Sequence, residues 1–263
     1  MILAKKTAIL VVSFGTSYPE TKKACIDSIE DSIRNAFPEC GIYRAWTSKM
    51  ILAKLKKRDG LHIDNVAEAM ERMASDGITD VVVQPTHVIN GIENDRMKKD
   101  VLSFAGSFQS IRFGTPLLTS EEDHAAAVEA VMQEFHDLDA KEALVLMGHG
   151  TSHYANSVYA ALDYRFKDMG APHIFLGTVE AYPGMEQLLK MVKAYDPVQV
   201  TLAPFMIVAG DHANNDMAGD SPDSWLSQFE NAGFHVRPVL KGLGEYEGIR
   251  NLFVSHVKDA MAF

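Results

Sequence analysis

The chain says nearly the same thing twice, and that repeat limits its fold more than any other feature. Val12-Ser13-Phe14-Gly15-Thr16-Ser17 returns as Met147-Gly148-His149-Gly150-Thr151-Ser152. Each copy follows a short apolar run, Ala8-Ile9-Leu10-Val11-Val12 or Leu144-Val145-Leu146-Met147, which has the pattern of a buried strand entering a turn. Residues 42–48 align with 174–180. Residues 85–95 align with 204–216, the later copy holding two extra residues near its end, and Gly91 and Gly210 are shared.

Around these anchors the periodicities alternate. Strands are expected at 8–13, 42–47, 81–83 and 111–114, and again at 143–147, 174–179, 198–202 and 235–240. Between them the apolar spacing predicts helices at 19–37, 49–57 and 66–75, from about 93, and from 119 or 120 to 135. In the second copy it predicts helices at 157–169, 185–194 and 246–260, with a helical region broken near 220–223. The expected fold class is therefore α/β: two similar halves, each a parallel sheet flanked by helices, with an active-site cleft between them at the strand ends. The expected division is 1–138 and 139–263, with the junction in 137–142.

Composition removes several function classes. A formal net charge of −10 argues against nucleic acid or an anionic membrane as partner, because both select a basic face. No run approaches the ~20 apolar residues of a membrane helix, and the N-terminal apolar run is too short for a signal peptide, so a cytoplasmic location is expected. Cys25 and Cys40 have neither CxxC nor metal-ligand spacing and read as free thiols in a reducing compartment. No GxGxxG and no phosphate loop is present, so no nucleotide cofactor is expected. Gly148-His149-Gly150 is not a nucleophile elbow, since its centre lacks a serine. A homo-oligomer stays open.

Three expected strand ends of the second half carry His149, Glu180 and His212. Two imidazoles and a carboxylate suit a divalent transition metal and leave coordination positions free, as a catalytic or transfer site requires. They lie 31 and 32 residues apart (180 − 149 and 212 − 180), so only the fold can assemble them. The opposing reading is a packed histidine in a βα turn and polar residues at unrelated loop tips. His153 either adds a ligand or faces solvent on the next helix; His87 reaches the cleft or packs. His62, His124, His136, His235 and His256 read as surface or helix-face histidines. Met147, Phe205, Met206 and Trp225 read as core, although an apolar cleft would suit a flat macrocycle.

The residues also carry a resemblance. Val11-Val12-Ser13-Phe14-Gly15-Thr16-Ser17, Ala45-Trp46-Thr47-Ser48-Lys49-Met50-Ile51, Val88-Ile89-Asn90-Gly91, Met147-Gly148-His149-Gly150, Gly177-Thr178-Val179-Glu180 and the long Val208-Ala209-Gly210-Asp211-His212-Ala213-Asn214-Asn215-Asp216-Met217-Ala218 span nearly the whole chain. In these segments it resembles the anaerobic cobalt chelatases of cobalamin biosynthesis, the sirohydrochlorin cobaltochelatases, within the class II chelatases that include ferrochelatase. The resemblance implies an enzyme inserting Co(II) into sirohydrochlorin, with His149 and His212 as metal ligands and Glu180 completing the site. It carries the cleft carboxylate of the family onto Glu93, as catalytic partner of His149. Some periplasmic relatives bind haem through a histidine shortly after that glutamate; Arg96 stands there in this chain, so no haem is expected. Iron or nickel insertion is the alternative within the class, and a non-catalytic metal or tetrapyrrole carrier the alternative outside it. Sirohydrochlorin carries eight carboxylates, for which Arg44, Lys49, Arg96 and Arg112 are the candidate partners.

Overall fold

A computed structural model describes residues 6–139 and 141–262. The first half runs β1 (Thr7–Ser13), α1 (Pro19–Thr21), a π-helical turn (Lys22–Asp27), α2 (Ser28–Ala36), β2 (Gly41–Trp46), α3 (Lys49–Asp59), α4 (Val66–Ser75), β3 (Asp80–Pro85), α5 (Ile92–Leu102) and β4 (Ser110–Phe113). Then come α6 (Glu121–Glu134), β5 (Glu142–Gly148), α7 (Ser157–Asp168), β6 (Ile174–Thr178), α8 (Met185–Tyr195) and β7 (Gln199–Pro204). A second π-helical turn (Ala213–Met217), α9 (Trp225–Asn231), β8 (Val236–Pro238) and α10 (Glu247–Ala262) complete the chain.

Local chemistry explains the boundaries. Asn65 caps α4 and Ser120 caps α6, each in a reciprocal capping box with Glu68 or Asp123. Gly60, in the left-handed region at φ +65°, closes α3. The two sheets are parallel and have the same strand order, β2-β1-β3-β4 and β6-β5-β7-β8. Every residue of β3 is buried, and so are all but the first of β1, β5 and β7, as expected for parallel strands covered on both faces. Val81 and Val83 pack with Leu10, Met70, Met73 and Met97 in one core; Val145, Val200, Leu202, Phe229 and Trp225 pack in the other. Each such aliphatic side chain contributes roughly 1.5–3 kcal/mol by burial. Met147 and Phe205 are wholly buried, as expected of core residues. Cys25 is buried, Cys40 is partly buried, and neither is in a disulfide.

The compact units do not follow the expected 138/139 boundary. Described residues up to Thr119 join those from Arg250 onward, and Ser120–Ile249 form the other unit. Two helices explain the shift. On α6, Glu121 and Glu134 form ion pairs with Arg165 of α7 and with Lys241, so this helix belongs to the second unit. On α10, the Met261 carbonyl accepts from Arg112 at 2.9 Å, and His256 Nδ1 hydrogen-bonds the Thr115 carbonyl at 3.0 Å. That binds the last helix to the first unit and makes His256 a buried histidine rather than a surface one. Residue 140, inside the expected junction, lies outside the described residues.

Candidate metal centre

The same backbone stitches close the strand ends of both units. In the first unit, Thr47 and Ser48 N–H groups donate to the Ser13 and Phe14 carbonyls, and Thr86 N–H donates to Val12. In the second, Val179 and Glu180 donate to Gly148 and His149, and Phe205 donates to Met147. Leu117 and Leu118 donate to His87 and Val88, just as Leu243 and Gly244 donate to Met206 and Ile207. Phe14 and His149 are therefore equivalent positions, as are Ser48 and Glu180. Counting on from His87 and Met206, Glu93 occupies the place of His212.

In the second unit this framework puts three ligand-type groups together. Ligand atoms of His149, Glu180 and His212 all lie within 4.8 Å of one another. The two imidazole rings meet edge to face, with centroids 4.7 Å apart and planes at 89°. His149 Nδ1 lies 3.7 Å from a Glu180 carboxylate oxygen. All three side chains keep a solvent-open side, which leaves room for a further ligand on a shared ion.

Several contacts hold the loops that carry them. Gly150 follows His149 at φ +84°, and a Cβ there would meet Ala181 N and Thr178 Cβ at 2.9 Å, so the turn requires glycine on both counts. The Tyr159 ring lies so close beneath Gly148 that a Cβ there would meet it at 2.6 Å. Its phenol bonds the Gly150 backbone, and burial pushes that phenol up to about 12, so it stays neutral. Thr178 N–H donates to the Pro183 carbonyl at 2.7 Å, and Asn156 Nδ2 donates to the Tyr182 carbonyl at 2.6 Å; together they pin the short loop carrying Glu180.

The tautomers follow from the partners. His149 Nδ1 sits 2.7 Å from the Gly150 carbonyl, and His212 Nδ1 sits 2.7 Å from an Asp216 carboxylate oxygen. A carbonyl and an ionised carboxylate accept only, so both Nδ1 atoms carry the proton and both Nε2 lone pairs are free for a metal. Asp216 was not singled out in sequence. The four-residue step from His212 was the available signal, but which side of the ring it would reach depends on the π turn.

The remaining expectations fall out unevenly. His153 caps a short 3₁₀ turn, accepting from Ala155 N–H at 3.2 Å, and its ring lies 4.0 Å from that of Tyr154; it is not in the group that can share the ion. His87 packs: both ring nitrogens are shut off from solvent, and burial pushes the imidazole down to about 4, only partly opposed by Asn94. Glu93 stands in the first turn of α5 and pairs with Arg96 at 3.0 Å. Of the candidate carboxylate-binding cations, Arg44 is committed to Glu30 and Asp27, and Arg112 donates to Met261. Arg44 therefore serves the first unit's own packing. Lys49 is exposed at the start of α3.

Comparison with known proteins fits this geometry. The sequence model of the family "Cobalt chelatase (CbiK)" matches residues 7–262. The chain belongs to the cobalt chelatase (CbiK) family. A sirohydrochlorin cobaltochelatase of Salmonella typhimurium is 40% identical over 256 residues, covering 97% of each chain. The sirohydrochlorin cobaltochelatase CbiKC of Nitratidesulfovibrio vulgaris is 32% identical over 265 residues, covering 98% of this chain and 91% of its own. Among solved structures, SirB from Bacillus subtilis with Fe3+ superposes with a TM-score of 0.66 at 13% identity, covering 98% of this chain and 96% of SirB. At that identity the likeness is one of fold, and it agrees with the two four-stranded parallel sheets described above.

Proposed function

We propose that this member of the family inserts Co(II) into sirohydrochlorin, holding the metal on His149, Glu180 and His212. The observation that carries the assignment is that these three groups, from three strand ends of one unit, can reach a single ion. Nitrogen and carboxylate donors suit a divalent first-row metal, and an incomplete shell lets the ion pass to another ligand set. Here that set is the four ring nitrogens, and two pyrrole protons must leave as the metal enters. A base is therefore required. We assign that role to Glu93, the one ligand-type group the first unit has at the three equivalent positions. His149 presents the metal during transfer. The ligand set does not by itself select cobalt over iron or nickel; the family membership favours cobalt.

The cellular setting follows the same reading. Among the described residues no helix is long and apolar enough to cross a membrane, and Cys25 and Cys40, neither in a disulfide, suit a reducing cytoplasm.

The test is the visible spectrum of sirohydrochlorin mixed with Co(II) and catalytic amounts of protein. Conversion should run to many equivalents per chain. Conversion that stops at one equivalent would make the protein a carrier and end the chelatase reading.

A further inference from the structure

We infer that Asp216 is a positioning residue for the metal: by holding the His212 ring through Nδ1, it sets how tightly the site holds cobalt before transfer. This rests on the metal-site reading above and deepens it.

Three observations lead there. The first is the contact itself. An Asp216 oxygen lies 2.7 Å from His212 Nδ1, which fixes the proton on that nitrogen and aims Nε2 away from the carboxylate. A charged acceptor behind an imidazole also makes its far nitrogen a stronger donor to a metal.

The second is the contrast between the two histidines. His149 is backed by the Gly150 carbonyl, a neutral dipole, whereas His212 is backed by a full negative charge. Of the two imidazoles His212 is therefore the stronger ligand, and its strength depends on a side chain that can be replaced.

The third is the way the chain delivers Asp216. In both units a shared glycine opens the helix, with Asp95 N–H donating to Gly91 and Asn214 N–H donating to Gly210. The first unit continues as the regular α5, where Glu93 faces Arg96. The second widens into the π turn Ala213–Met217, with Ala218 N–H reaching the Ala213 carbonyl at 3.1 Å. Asp216 lies within this widened turn. Single π turns of this kind recur at functional sites because they re-aim side chains without ending the helix.

The experiment compares wild type with Asp216→Asn, Asp216→Ala and Asp216→Glu, using His149→Ala as control. Co(II) affinity of the tetrapyrrole-free protein is measured through the cobalt visible absorption, and steady-state constants are measured for both substrates. Asp216 is half exposed, so its replacement leaves the core intact, and Asp216→Asn keeps the shape. Asp216→Ala should weaken Co(II) binding and raise the KM for Co(II) by about 10- to 100-fold, the usual cost of losing such a partner. Asp216→Asn should fall between Ala and wild type, and Asp216→Glu should recover part of the loss. The KM for sirohydrochlorin should hold, and kcat at saturating cobalt should change little by comparison.

The cobalt band should keep its position and shape in Asp216→Asn, because the atoms on the ion are unchanged. A changed band would make Asp216 a ligand and overturn the inference. Unaltered Co(II) affinity in Asp216→Ala, with affinity lost in His149→Ala, would overturn the inference and leave the metal site standing. Unaltered affinity in His149→Ala as well would remove both.

Discussion

The two units share a strand order, a register and a set of backbone hydrogen bonds, yet only in the second do the three equivalent strand-end positions carry a metal-ligand set. At the first equivalent position stands Phe14, half exposed, against His149; at the second, Ser48 against Glu180; at the third, Glu93 against His212. Ser48 is spent on capping α3, accepting from Ile51 N–H at 3.4 Å. The charge of the surrounding loops differs in the same sense. Residues 148–156, 178–184 and 204–224 contain no lysine or arginine and carry Glu180, Asp211, Asp216, Asp220 and Asp223; the matching segments of the first unit include Lys49, Arg96, Lys98 and Lys99, in α3 and α5, beside Glu93, Asp95 and Asp100. One scaffold thus gives an acidic rim in one unit and a rim of mixed charge in the other. The fold fixes where a strand-end side chain stands. Which chemistry stands there is decided at three residues.

The largest effect should come from removing a ligand. His149→Ala and His212→Ala should each cut Co(II) insertion by at least about 10²-fold, since loss of a ligand costs more than loss of the group behind it. Thermal unfolding should stay close to wild type, because both side chains sit on partly open loops. Full turnover in either variant would break the assignment of chemistry to the second unit.

Next comes a contrast in acid stability. His87 in the first unit is half-buried with both ring nitrogens shut off from solvent, and its backbone counterpart in the second is Met206, which does not titrate. With its pKa pushed down to about 4, the native imidazole stays neutral where an unfolded chain, near 6.5, takes up a proton. The stabilisation is whole above pH 6.5 and is lost progressively as pH falls towards 4, by at most about 3 kcal/mol. His87→Met should flatten this limb. Urea unfolding at pH 7 and pH 4.5 measures it, and an equal acid loss in wild type and variant would refute the assignment.

The smallest of the three effects sharpens the comparison at its third position. Glu93→Gln keeps shape and removes the base, so turnover should fall roughly 10²-fold, the low end for general-base loss. Co(II) affinity without tetrapyrrole should hold, in contrast to His212→Ala. Loss of cobalt binding in Glu93→Gln would mean that the two units do not divide the labour as proposed.

Much of this was legible in the sequence. The eight strands fall where the apolar runs predicted, and the alignment of the two copies anticipated the three equivalences that the hydrogen bonds display. Apolar periodicity and glycine placement report local backbone demands, and a repeat reports them twice. Features set by tertiary contact were not legible. The helix expected at 19–37 is interrupted by the π turn at Lys22–Asp27, a local widening by one residue that apolar spacing does not mark. The strand expected at 235–240 shrinks to Val236–Pro238, consistent with Pro238 lacking a donor at the sheet edge. Burial of His256 against Thr115, and the role of Asp216, depend on partners that no sequence spacing marks.

The return of α10 to the first unit has a consequence for the order in which the protein is made. Ser120–Ile249 is a single continuous stretch, so the unit with the metal ligands has all its residues before the ribosome reaches Arg250. The unit begun earlier includes Phe253, His256 and Val257, all buried, which are translated only after the whole of the other unit. Folding from the N-terminus is the usual vectorial order. In this chain the later half can close before α10, which belongs to the half begun first, has been made.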